Sequence, residues 1–357
     1  MSQRRGTPLW PWSRPKGTNT PRFSSQTVYL SNRAGKGQMD VSAFVNFRES
    51  LVKSVSKTII GKDGVIESVA FGLLSRGHVL FEDNPGLGKT TLAKAVAKAI
   101  GCEFKRVQFT ADLLPADVTG TFVLDASGKF HFLKGPVFGQ VLLADEINRA
   151  PPKTQSALLE AMQEHQVTAE NKTFPLPSPF IVLGTQNPIE YEGTYPLPEA
   201  QMDRFSLRIR MGYPSDEDEV AILRLRKSPE DELRDVVKIS EPDEVLDLQA
   251  KLEDLYVDDD MNRYMVKVAS LTRAFDGVDA GVSPRGIIHL SRLCKARAAC
   301  LGRDFITPDD VKALAVPALA HRLVLSTDYE LRGLSQEAIV QEILSKTPVP
   351  KVTGSEG

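Results

Sequence analysis

The stretch FEDNPGLGKTTLAKA (Phe81 to Ala95) departs at one position from the phosphate-binding pattern G-x-x-x-x-G-K-[ST], because Asp83 stands where the first glycine should be. Every other part has a mechanical role. Gly86 and Gly88 let backbone N–H groups approach phosphate oxygens with no Cβ in the way. Lys89 reaches the β- and γ-phosphates, and the Thr90 hydroxyl suits Mg²⁺. A helix starting at Lys89 turns its positive end to the same phosphates. The first position mainly shapes the turn leaving the strand. Asp tolerates unusual backbone angles and can bond its own backbone, so Asp83 is expected to be a survivable departure. The plain alternative is a Gly-rich turn before a helix.

A second element narrows that alternative. QVLLADEINRA is an apolar strand ending in adjacent carboxylates, Asp145 and Glu146, and Asp145 follows Lys89 by 56 residues. A lone Asp-Glu pair after a strand is ordinarily a solvated turn. Behind a phosphate loop it acquires a chemical reading, in which Asp145 holds Mg²⁺ and Glu146 polarises the attacking water. Both then lie at the carboxyl ends of parallel strands, where open α/β sheets bind ligands. A third strand, in FIVLGTQNP, ends in Gln186-Asn187. Either this is a simple Asn-Pro turn, or Asn187 orients the water against the γ-phosphate.

Positioning these groups requires a particular set of elements. DVSAFVNFRESLVKSVSKTIIG has apolar residues at helical spacing and stops at Gly61, and KDGVIESVAFGLLSRG is a second helix. HVLF, FKRVQF, QVLLAD and PFIVLGT are short apolar strands separated by helical stretches, which means a parallel α/β sheet. SLRIRM alternates like a further strand at an edge. Ser127-Gly128 and Glu170-Asn171 each separate two strand-like runs, so two hairpins are expected there. Past GYPSDEDEV the sequence becomes mostly helical, with amphipathic segments such as MNRYMVKVASLTRAF. Thr307 reads as an N-cap followed by Pro308 at the first helical position.

A chain of 357 residues is long enough for two cores, since single cores stop growing near about 250–300 residues. The expected division is a basic, disordered tail (1–39), a nucleotide-binding core (40–213), a helical lid (214–350) and a short C-terminal tail (351–357). The net charge of −2 conceals an asymmetry: residues 1–39 hold seven basic residues and no acidic one, leaving 37 basic against 46 acidic residues elsewhere, about −9. An acidic body argues against nucleic acid as a general partner. Cys102, Cys294 and Cys300 form no C-x-x-C pair and read as small buried hydrophobes of a reducing, cytoplasmic protein. No apolar run approaches the roughly 18 residues of a membrane span. The five histidines have no metal-ligand spacing, so Mg²⁺ with the nucleotide is the one ion expected.

Taken together, the order of elements resembles the AAA+ ATPases and, in detail, the MoxR family. EDNPGLGKTTLAKA, DEINRAPPKTQSALLEAMQEHQVT and TQNPIEYEGTYPLPEAQMDRF look like signature blocks of that family, and the resemblance runs over roughly residues 42–325. It implies an AAA+ P-loop core followed by a small all-helical lid, with ATP and Mg²⁺ as ligands. It also implies a homo-oligomeric, hexameric ring with nucleotide at each interface. The nucleotide-binding set is then Gly61 with the run Asn84, Pro85, Gly86, Leu87, Gly88, Lys89, Thr90 and Thr91, and the metal set is Thr90 with Asp145. Beside Glu146, the resemblance assigns Asn187 as sensor 1, Arg285 in SPRG as sensor 2 on the lid, and Arg204 in MDRF as the arginine finger. Residue order supports the last role. Arg204 just precedes SLRIRM, so it belongs near the amino-terminal edge of the sheet, away from its own nucleotide and open to a neighbour's. Arg149 is a second candidate for that contact. The resemblance further implies partners bearing von Willebrand factor A domains and a chaperone-like role. A metal-chelatase ATPase subunit, a nucleic-acid motor and a non-enzymatic scaffold are the alternatives. A motor would call for basic hairpin tips, yet Lys129 sits beside Asp125 and Lys172 beside Glu170.

Overall fold

A computed structural model of the chain describes residues 39–187, 195–225 and 233–350. The expected tails, apart from Met39, and residues 188–194 of the third signature block lie outside the described residues. Two helices come first, α1 (Ser42–Val55) and α2 (Asp63–Leu74). The sheet and its insertions follow as β1 (Val79–Glu82), α3 (Lys89–Ala99), β2 (Phe104–Gln108), α4 (Pro115–Thr119), β3 (Gly120–Leu124), β4 (Phe130–Lys134), β5 (Val141–Asp145), α5 (Pro152–Glu164), β6 (Gln166–Ala169), β7 (Lys172–Pro175), β8 (Ile181–Gln186), α6 (Glu199–Met202) and β9 (Leu207–Ile209).

Five strands form one parallel sheet in the order β2-β5-β8-β1-β9. Their continuous apolar runs reflect burial on both faces. Val79, Phe81, Val141, Leu143, Ile181 and Leu183 pack with α1, α2 and α3, whereas Leu80, Leu142, Ala144 and Val182 pack with Leu158, Leu159 and Met162 of α5. A slip of one residue would exchange these sets, so the register is held by packing on both sides. That register brings strand ends together: Gln108 lies opposite Asp145, and Glu82 opposite Gln186.

The two expected hairpins form, as β3–β4 and β6–β7. Asp125 accepts from Ser127 and Lys129 to fold the first turn, and Glu170 and Asn171 take the positive φ of a two-residue turn in the second. They are not separate decorations, because Phe132 of one stacks on Phe174 of the other at 4.2 Å. The free end of the first hairpin is apolar, with Leu124 and Phe130 opposite each other and 60% and 71% exposed.

The remaining chain forms α7 (Asp216–Leu225), α8 (Pro242–Glu253), α9 (Asp259–Arg273), β10 (Val278–Ala280), α10 (Pro284–Cys300), α11 (Pro308–Leu319), β11 (Val324–Leu325), α12 (Thr327–Leu331) and α13 (Gln336–Lys346). The lid expected to be all-helical therefore carries one short antiparallel ribbon, β10–β11. The connection between α9 and α10 lays the three residues of β10 against β11 instead of forming a helical turn. Helices α8, α9, α10, α11 and α13 share one apolar cluster with α1, α2 and α3, and α11 covers the edge strand β9. Cys294 and Cys300 lie in that core, and burial pushes the Cys300 thiol up to about 12. No helix among the described residues is long and apolar enough to cross a membrane.

Candidate nucleotide-binding site

Strand β1 ends at Glu82, the chain turns through Asp83–Gly88, and α3 begins at Lys89. Gly86 and Gly88 both have φ +86°, a region that L side chains avoid. A Cβ at Gly86 would meet nothing within 4 Å and would project into open space. That space is a cavity of about 400 Å³.

Of the residues named from the sequence, Pro85, Gly86, Gly88, Lys89, Thr90 and Thr91 line this cavity from the loop, and Asp145, Glu146 and Asn187 line it from the ends of β5 and β8. Asn84 and Leu87 belong to the loop without lining it, and Gly61, also not among the lining residues, has its Cα against the Asp218 carboxylate of α7. Arg204 and Arg285 do not line it either. Arg204 precedes β9 at the opposite end of the sheet and donates to the Leu159 carbonyl at 2.6 Å, while its Nε is buried without a partner. Arg285 is in the first turn of α10, whose cap Ser283 bonds Asp203, so both arginines belong to that opposite edge.

Asp83 departs from its expected role. Its φ is not positive and its carboxylate does not bond its own loop. It accepts instead from the backbone N–H groups of Met211 and, at 3.3 Å, Gly212, just past β9. A glycine could not make these bonds, which is why Asp is more than tolerated there. Burial raises the Asp83 pKa, opposed by those two donors.

The charged groups of the cavity engage one another. Lys89 Nζ donates to the carbonyls of Asp83 at 2.8 Å and Asn84 at 3.0 Å. Burial lowers its pKa, against the attraction of Asp83, Asp145 and Glu146. Asp145 accepts from Thr185 Oγ1 at 2.6 Å and from Arg106 at 2.7 Å. Glu146, with φ +56°, accepts from Gln108 at 2.8 Å and from Arg149 Nε at 3.0 Å. Arg149, named as a candidate for contact with a neighbour, is thus paired within its own chain. Deeper in the sheet, burial alone would raise Glu82, but Arg208, Arg210 and Gln186 together hold it low.

Arg106, Gln108 and Thr185 had no motif to announce them. The available signal was a polar residue closing a buried strand, since Gln108 ends β2 as Asp145 ends β5. Which strands are neighbours is a tertiary fact.

The donor set fits a nucleoside triphosphate with Mg²⁺. Open glycine backbone, a buried lysine and a helix N-terminus suit phosphates. Thr90 and Asp145 offer hard oxygens, and among the described residues no group of three or more His, Cys, Asp or Glu could form a protein-only metal cage. Mg²⁺ shared between one or two protein oxygens and phosphate is the usual arrangement.

Comparison with known proteins agrees with this geometry. Residues 78–207 match the family described as "ATPase family associated with various cellular activities (AAA)", and residues 270–343 match an AAA lid domain. The uncharacterized protein YeaC of Bacillus subtilis is 45% identical over 302 residues, covering 84% of this chain and 93% of that one. Chaperone MoxR1 of Mycobacterium tuberculosis is 40% identical over 327 residues, covering 88% and 86%. The crystal structure of a candidate ATPase from Cytophaga hutchinsonii superposes with a TM-score of 0.80 at 37% identity, over 87% of this chain and 97% of that one.

Proposed function

Since the chain belongs to the MoxR family of AAA+ ATPases, we propose that it hydrolyses ATP with Mg²⁺ at the loop cavity, as a cytoplasmic homo-oligomeric ring, expected hexameric, that remodels or matures partner proteins. The observation that carries this reading is the convergence of Lys89, Thr90, Asp145, Glu146 and Asn187 on one cavity.

In the proposed reaction Lys89 leaves the Asp83 and Asn84 carbonyls for the β- and γ-phosphates. Thr90 and Asp145 would hold Mg²⁺, which would supply positive charge for the phosphate oxygens. Glu146 exchanges Gln108 and Arg149 for the attacking water and takes its proton, and Asn187 orients that water. Until that exchange the carboxylate is occupied, so turnover is gated by whatever draws Gln108 and Arg149 away.

Arg204 and Arg285 sit at the far edge of the sheet from the cavity of their own chain. In this reading both act on the nucleotide of a neighbour, which makes ring assembly a condition of turnover. A relative named as a chaperone supports protein clients, and so does the exposed apolar pair Leu124 and Phe130 at a hairpin tip, where a nucleic-acid motor would need positive charge. Partners with von Willebrand factor A domains are the class expected from the sequence resemblance.

The test is ATP turnover per subunit against protein concentration for the wild type and Arg204→Ala. The expected outcome is specific activity that rises steeply with concentration and falls about 10³–10⁵-fold on substitution, with nucleotide binding retained. Flat activity indifferent to Arg204 would mean hydrolysis within one subunit.

A further inference from the structure

Arg322, in the turn after α11, has a side chain only 2% exposed and lies 119 positions from the residue it pairs with. Its Nε meets Asp203 Oδ1 at 2.8 Å, and its Nη2 donates to the backbone carbonyls of Asp203 at 3.0 Å and Phe205 at 2.9 Å. These two residues flank Arg204. We propose that Arg322 is a positioning residue for Arg204: from inside the lid it grips the backbone on both sides of the arginine that reaches the neighbour. The inference rests on that reading of Arg204.

Other bonds converge on the same segment. Ser283, the N-cap of α10, reaches both Asp203 carboxylate oxygens at 3.3 Å. His321 Nε2 lies 3.0 Å from the Phe205 carbonyl, and His289 Nδ1 lies 2.6 Å from Ser206 Oγ. Asp203, Phe205 and Ser206 are therefore held by the lid, while Arg204 turns away to the Leu159 carbonyl of α5. Close approach is built in: a Cβ at Gly286 would come within 2.9 Å of Arg322 Cδ. Since Arg285 adjoins Gly286, the same grip registers Arg285 with Arg204.

The choice of side chain argues for geometry over adhesion. A buried ion pair is often no more stabilising than apolar residues of similar volume. A guanidinium, however, presents five donors in a rigid plane and holds a carboxylate and two carbonyls in one fixed geometry, where a lysine's three rotatable donors impose none.

A mutant cycle tests this on the full chain under assembling conditions, with Arg204→Ala, Arg322→Gln, Arg322→Lys and the double variants. kcat, KM for ATP, melting temperature and sedimentation are read for each. Misplacing a catalytic group by about 1 Å can cost about 10²-fold. Arg322→Gln is therefore expected to lower kcat about that much with KM unchanged, Arg322→Lys to lower it less, and neither to lower it further once Arg204 is Ala. Losses that multiply in the double variants overturn the proposal. So does a lower melting temperature with full kcat in the assembled fraction. Should the Gln variant fail to fold, the Lys variant, which keeps a charge beside Asp203, decides by the same cycle. If Arg204→Ala alone leaves kcat intact, the reading of Arg204 fails and takes this inference with it. If Arg204→Ala abolishes turnover and the Arg322 variants do not, this inference fails alone.

Discussion

At the carboxyl end of the sheet Lys89, Asp145 and Glu146 turn their charges toward a cavity, whereas at the amino end Asp203 and Arg322 turn theirs toward each other. The first set is built for exchange, because each bond that occupies it, such as Gln108 to Glu146, can be traded for a ligand or a water. The second is built for permanence. There a lost partner leaves a charge uncompensated in a low-dielectric interior. Charged clusters of similar composition thus have opposite duties, and lining a cavity tells them apart.

The largest effect expected from this contrast is at the open end. Glu146→Gln keeps the shape and removes the base, so turnover should fall about 10²–10⁴-fold. Nucleotide binding and melting temperature should stay where they were. A comparable loss of stability would mean that Glu146 is structural and the contrast is false.

Acid should find the closed end. His78 accepts from the Val182 N–H through Nδ1 and lies 3.2 Å from the Met162 carbonyl through Nε2, which fits a neutral ring. Burial lowers its pKa to about 4, and burial with the nearby Arg322 lowers that of His289 to about 3. In the unfolded chain both protonate near 6.5. Their depressed values mean that stability is full above about pH 6.5 and is lost as pH falls toward the folded values. His78 alone should remove about 2 kcal/mol by pH 5. Urea unfolding at pH 7.5 and pH 5 measures this, and His78→Gln should flatten the dependence. Equal midpoints at the two pH values would contradict a buried neutral ring.

A further effect of similar size sharpens the boundary between the two ends. Asp83→Gly restores the glycine of the pattern but strips the acceptor from Met211 and Gly212. Stability should drop by about 1–3 kcal/mol while nucleotide affinity holds. Unchanged stability would return Asp83 to a mere tolerated letter.

The phosphate loop, the Asp145-Glu146 pair, the parallel strands and both hairpins were legible because each is written in contiguous residues. Local backbone geometry dictates them: glycines at positive φ, apolar runs of strand length, two-residue turns. The helical character after Ser215 was legible from periodicity, while the β10–β11 ribbon was too short to register. What neighbouring residues could not encode is adjacency between distant segments. Strand order put Gln108 beside Asp145 and Arg106 within reach of it, so β2 supplied one partner to each of Asp145 and Glu146 with no motif of its own. Docking of the lid on β9 put Arg322 on Asp203 and brought Arg285 to the same edge as Arg204, although the resemblance alone assigned them to different roles. By itself the sequence determined which residues can do chemistry, since that follows from side-chain type and short spacing. Only the tertiary structure decided which of them share an edge, since strand order and domain docking are settled by burying apolar surface from segments distant in the chain, 119 positions apart for Arg322 and Asp203.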